Sequence, residues 1–179
     1  MILIALAMLA DPLAPLPPPY AAFLPTVPGA INPAVTADNL DQTICNKTLF
    51  DKHGAPVPVG NDGKPLKPGF TWVHLQRPST GYTNKIKFAL MAAAGISRSD
   101  SAKYELDHLW SIEAGGSPTD PRNLWLQPYV NPYGAKLKDR LENRIHDRIC
   151  ARATTIEQGG HDLTFDWIEA YAAILGPVQ

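Results

Sequence analysis

The chain has 179 residues, 45% of them hydrophobic and 18% charged, with a formal net charge of -1. That length suits one domain with a real core and is tight for two, and the composition excludes a disordered chain. The near-neutral balance excludes a strongly basic nucleic-acid-binding domain, so any affinity for phosphates rests on local clusters.

Residues 2–10 are a short apolar run, too short to span a bilayer as a helix. With Ala5-Leu6-Ala7 as a cleavage-like site it reads as the core of an export signal, although the usual Lys or Arg before it is missing. Many of the 18 prolines follow between Asp11 and Pro33. Such a stretch forms neither a normal helix nor a central strand, and residues 1–36 are read as an apolar start and extended leader. The folded domain is expected over residues 37–179. Its two cysteines, Cys45 and Cys150, sit near opposite ends. They form one long-range bridge in an oxidising compartment or stay two buried thiols in a reducing one. Neither belongs to a Cys-x-x-Cys pair, so a zinc knuckle is not indicated.

Residues 45–69 are turn-rich, with Asn61-Asp62-Gly63 predicting an irregular hairpin or loop. Residues 70–75 read as a short strand. Residues 83–94 read as a helix capped by Thr83, with Ile86 and Leu90 on its apolar face and Gly95 as its stop. Residues 104–110 and 123–126 read as paired strands. A helix is then expected from Asn131-Pro132, as N-cap and N1, with Leu137, Leu141, Ile145 and Ile149 recurring every four residues toward the core. Residues 154–158 read as a short helix or turn ending before Gly159-Gly160. A final helix over 164–175 is expected to turn Phe165, Ile168, Ala172 and Leu175 inward, with Trp167 and Tyr171 flanking.

The chemistry concentrates in Glu105-Leu106-Asp107-His108, followed by Gly115-Gly116 and Asn123-Leu124-Trp125. A carboxylate can hold a divalent cation, and an adjacent imidazole can take a proton from water near neutral pH. Together they are the minimal equipment for metal-assisted cleavage of a phosphodiester. Strand, Gly-Gly loop, strand and helix in this order, with Lys138-Asp139 on the helix, resemble the HNH endonuclease superfamily. The likeness extends to Thr43-Ile44-Cys45, Arg77-Pro78, Tyr82-Thr83-Asn84 and Cys150.

The resemblance implies an α+β fold with a ββα-metal core and additional flanking helices. It implies His108 as general base, Asp107 as first metal ligand and Asn123 as the residue that ties the loop so that His108 is aimed. The implied ion is Mg²⁺, with Mn²⁺ or Zn²⁺ as alternatives, and the implied partner is nucleic acid, DNA ahead of RNA, with no membrane partner for the folded domain. Where the family carries a His or Asn on the helix, this chain departs; Asn131, Asp139 and Glu142 are the candidates for that ligand. Lys138, Arg140 and Arg77 are the expected phosphate contacts. The competing reading is a non-catalytic ββα module that binds nucleic acid or a protein. The export-like start favours a periplasmic or secreted protein over a cytoplasmic one.

Overall fold

The structure, a computed structural model, describes residues 25–178. The apolar start and most of the Pro-rich stretch lie outside the described residues. Within residues 25–36, assigned to the leader from sequence, Ala30, Asn32 and Val35 are already buried. Ile31 bridges Gly116, and Asn32 N–H donates to the Gly115 carbonyl at 2.8 Å. Packing therefore starts before position 37.

The chain is α+β: five α-helices, short 3₁₀ turns and one two-stranded sheet among the described residues. The expected strand at 70–75 is instead the short helix α1 (Trp72–Gln76). Thr71 accepts a hydrogen bond from His74 N–H, a local cap that diverts the backbone from extension. Helix α2 (Thr80–Ala93) begins a turn earlier than the sequence predicts. Ser79 is its cap, while Thr83 sits inside the helix and donates back to backbone carbonyls. Gly95, at φ +68°, follows its end as expected. Strands β1 (Tyr104–His108) and β2 (Leu124–Pro128) pair antiparallel, with Asp107 opposite Trp125 and His108 opposite Leu124. Around Asn61-Asp62-Gly63, Val59 bridges Pro65, in keeping with the irregular hairpin.

Helix α3 (Ala135–Cys150) starts later than Asn131-Pro132, with Gly134 as its N-cap. Residue 134 lies against the Tyr129 carbonyl, where any Cβ would collide, so the chain turns there rather than at Pro132. The expected stripe holds: Leu141, Ile145 and Ile149 are buried, and Leu137 packs at the edge of the core. Helix α4 (Ile156–Thr164) runs through Gly159-Gly160 instead of stopping before them. Both glycines are contact points: a Cβ on Gly159 would meet Ile145, and one on Gly160 would enter the Trp110 ring. Helix α5 (Trp167–Leu175), capped by Asp166, is rotated from the expected orientation. Ile168 is buried as expected, together with Trp167 and Tyr171, whereas Phe165, Ala172 and Leu175 are exposed. The later start, set by the Asp166 cap, moves Trp167 onto the core face.

The core joins α3, α4 and α5 to Val35, Leu40 and Ile44. A Cys45–Cys150 disulfide closes it, with Cα atoms 5.4 Å apart and a sequence separation of 105. A loop of that length is worth about 4.7 kcal/mol in the chain-entropy account. No described helix is long and apolar enough to cross a membrane.

Gly160→Ala forces a methyl group into the Trp110 ring. The expected loss is about 1–3 kcal/mol, read as a fall in Tm of roughly 2–4 °C for each kcal/mol in a chain of this size.

Candidate functional site

The turn between the strands is built by one amide. Asn123 is fully buried. Its Oδ1 accepts from Trp110 N–H at 2.8 Å and Ala30 N–H at 3.2 Å, and its Nδ2 donates to the Trp110 and Ser117 carbonyls at 2.8 Å each. All four valences of the amide are used. Gly115, at φ +95°, ends the 3₁₀ turn Ile112–Ala114, and Gly116 lies so close to the Trp110 carbonyl that no side chain fits. Asn123 thus ties β1's exit at Trp110 to Ala30 and Ser117.

That loop holds His108. Its Nε2 lies 2.9 Å from the Pro118 carbonyl, which can only accept, so the neutral ring carries its proton on Nε2. The lone pair of Nδ1 has no hydrogen-bond partner among the described residues. Burial pushes the imidazole pKa below the usual 6.5, against the pull of the Pro118 carbonyl and the Asp107 carboxylate; Arg77 and Lys138 push it further down. His108 is therefore a neutral base at neutral pH.

Asp107 is positioned from α3. Lys138, fully buried, donates from Nζ to Asp107 Oδ2 at 2.8 Å, to the His108 carbonyl at 3.0 Å and to Glu142 Oε1. Burial alone would lower the Lys138 pKa, but Asp107 and Glu142 hold it above its ordinary value. Burial pushes the Glu142 carboxyl in the opposite sense, up, even against Lys138. One ammonium faces two carboxyl groups, and burial lets Glu142 retain a proton toward neutral pH. The structure thus gives Lys138 a task other than the phosphate contact expected of it, because a side chain with no exposed surface cannot reach a ligand.

Asp107 and His108 open on a cavity of about 230 Å³ shared with Arg77, Asn84, Glu105 and Tyr129. Burial and Asp107 push the Glu105 carboxyl up. Burial and the bond to Glu105 raise the Tyr129 hydroxyl to about 12. On the exposed side of α3, neighbouring protein atoms and Asp107 push the Asp139 carboxyl up. Mutual repulsion of Glu105, Asp107 and Asp139 is what a cation would relieve. Asp107 Oδ1 has no partner among the described residues, and a Mg²⁺ that keeps most of its waters needs only one or two carboxylates. Among the described residues Glu105, Asp107 and Asp139 do not converge as a three-ligand group, so an ion here would rest on Asp107 with at most one further carboxylate and water. Asn131 is elsewhere: with Arg140 it lines a separate cavity between α3 and α5. Arg77 remains beside His108, exposed and free to meet a phosphate.

Three further ligand-type side chains meet away from this cavity. Cys45, His146 and Cys150 bring one ligand atom each within 4.8 Å of one another, and here the two sulfurs are joined as the disulfide. By sequence His146 belongs to the polar side of its helix and carries little weight as a ligand, yet His146 and Cys150 are four apart on one helix and so share a face. Glu105 with Tyr129 is a second pair that sequence reasoning missed, because only the pairing of Tyr104 with Pro128 brings them together.

Comparison with protein-family models, curated proteins and solved structures returned no match.

Lys138→Met leaves the Asp107 carboxylate and the His108 carbonyl without their donor under α3. The expected cost is about 3–5 kcal/mol, read as a lower urea midpoint. Glu142 supplies a pH signature. Its folded pKa is raised, so its contribution to stability is full at low pH and is lost as pH rises toward about 8. Urea midpoints should fall over that window in the wild type and fall less in Glu142→Gln.

Proposed function

We propose that this protein is a ββα-metal hydrolase of the HNH type that cleaves phosphodiester bonds in nucleic acid, DNA ahead of RNA, with His108 as general base. One observation carries the reading. The Pro118 carbonyl fixes the proton of His108 on Nε2, and Nδ1 is left as an unprotonated base beside a carboxylate held in place from the following helix.

On this reading β1, β2 and α3 are the ββα unit. Nδ1 takes a proton from the attacking water as the oxygen adds to phosphorus. A divalent ion, when bound at Asp107, neutralises charge on the phosphate and steadies the leaving oxygen. Lys138 orients the Asp107 carboxylate, as ligating carboxylates are commonly oriented by their own hydrogen bonds. Arg77 supplies positive charge at the cavity mouth for a flanking phosphate. Asn123 keeps the loop, and with it His108, at a fixed angle. The Cys45–Cys150 disulfide is consistent with a protein exported to an oxidising compartment.

Purified protein incubated with plasmid and Mg²⁺ or Mn²⁺ should nick it. His108→Ala should lose about 10²–10⁴-fold in rate, the usual share of a positioned base. Wild type that cuts no better than His108→Ala with any divalent ion sinks the proposal, and salt-sensitive binding without cleavage would instead establish a non-catalytic module. The acid limb of kcat/KM should lie below pH 6.5, because burial keeps His108 neutral to lower pH than an ordinary histidine.

A further inference from the structure

We propose that Cys45, His146 and Cys150 form a zinc site when their disulfide is reduced, so that this corner of the fold has two states, a disulfide or a thiolate-bound Zn²⁺. The site is separate from the cavity around His108 and does not depend on the reading of that cavity.

Four observations converge. The ligand atoms of the three side chains already lie within 4.8 Å of one another, and two thiolates with one imidazole are the donor set Zn²⁺ takes in tetrahedral sites. His146 Nε2 sits 3.0 Å from the Ile44 carbonyl. That contact holds the ring proton on Nε2 and leaves Nδ1 as the metal-binding nitrogen, the usual way a ligating histidine is oriented by a backbone carbonyl. The Arg152 guanidinium lies 3.9 Å from Cys45 Sγ, a cation that favours thiolate over thiol. Finally, Cys150 is the last residue of α3, where the helix end favours positive charge. The group borders a cavity of about 940 Å³ that also holds Glu113, so a carboxylate or a water can complete the fourth position.

The redox step balances with a dithiol as reductant. Two electrons and two protons pass to the Cys45–Cys150 bond, which breaks into two thiols, while the reductant closes to its own disulfide. Zn²⁺ then displaces both thiol protons to solvent, and His146 keeps the proton on Nε2. Sulfurs freed from their covalent bond can separate to the spacing of two tetrahedral ligands. A disulfide sulfur is a poor ligand, so the oxidised protein does not compete for the ion.

The test uses the full chain, reduced with a phosphine under anaerobic conditions and titrated with Co²⁺ as a spectroscopic probe. In the reduced protein, thiolate-to-cobalt charge transfer and the visible bands of a tetrahedral ion should appear and saturate at one equivalent of this thiolate-bound Co²⁺ per chain, and Zn²⁺ should displace it. The oxidised protein should show neither. His146→Ala should weaken binding by about tenfold or more, the loss that follows even removal of an outer-shell partner, whereas His108→Ala should leave it unchanged. The proposal is overturned if reduced protein with two titratable thiols shows no charge transfer, or if His146→Ala binds as tightly as wild type. It is equally overturned if reduction abolishes the helical circular-dichroism signal and Zn²⁺ does not restore it.

Discussion

The buried ammonium of Lys138 is the contact on which the rest of the site depends. It reaches from α3 to the last two residues of β1, binding the side chain of Asp107 and the backbone of His108. A helix and a two-stranded sheet have little shared apolar surface at this point, and so small a sheet is not stable alone. A desolvated cation with three acceptors fixes their relative position more sharply than apolar contact would, because moving the helix strands a charge. Glu142, one helical turn on, completes the cage.

The second constraint is Asn123, which acts through the loop after β1. Four hydrogen bonds from one amide draw Ala30, Trp110 and Ser117 into a single turn. The same loop carries the Pro118 carbonyl that sets the histidine tautomer. His108 is therefore held through its backbone carbonyl by α3 and through its ring by the loop, which leaves Nδ1 uncommitted. Gly116 lets the loop press against the Trp110 carbonyl, and Gly115 supplies the positive φ of the bend.

The disulfide acts at the far end of the same helix. It fastens the C-terminus of α3 to the segment after Leu40, which packs under α4 and α5. α3 is thus pinned at one end by a covalent bond. In its middle it is pinned by the apolar stripe, and near its start by Lys138. Arg77 lines both the cavity at His108 and the one at Cys45, so the two ends of this arrangement share a wall.

What the sequence determined by itself was what short-range chemistry controls. The four-residue stripe from Leu137 to Ile149, the paired strands around Asp107-His108 and the αL stop at Gly95 follow from periodicity and backbone sterics, and all are present. The order Asp107-His108, Gly115-Gly116, Asn123 was enough to mark the loop. Tertiary structure decided the rest, because it depended on distant partners. Gly159-Gly160 reads locally as a helix breaker, but Trp110 and Ile145 need the space those residues lack, so α4 continues through them. Lys138 reads from sequence as a phosphate contact, but Asp107 and Glu142 draw it into the interior. Asn131 is one of the expected helix-borne ligands, yet the chain turns at Gly134 and carries it to another cavity. A charge on a helix has no fixed side until something across the fold pairs with it.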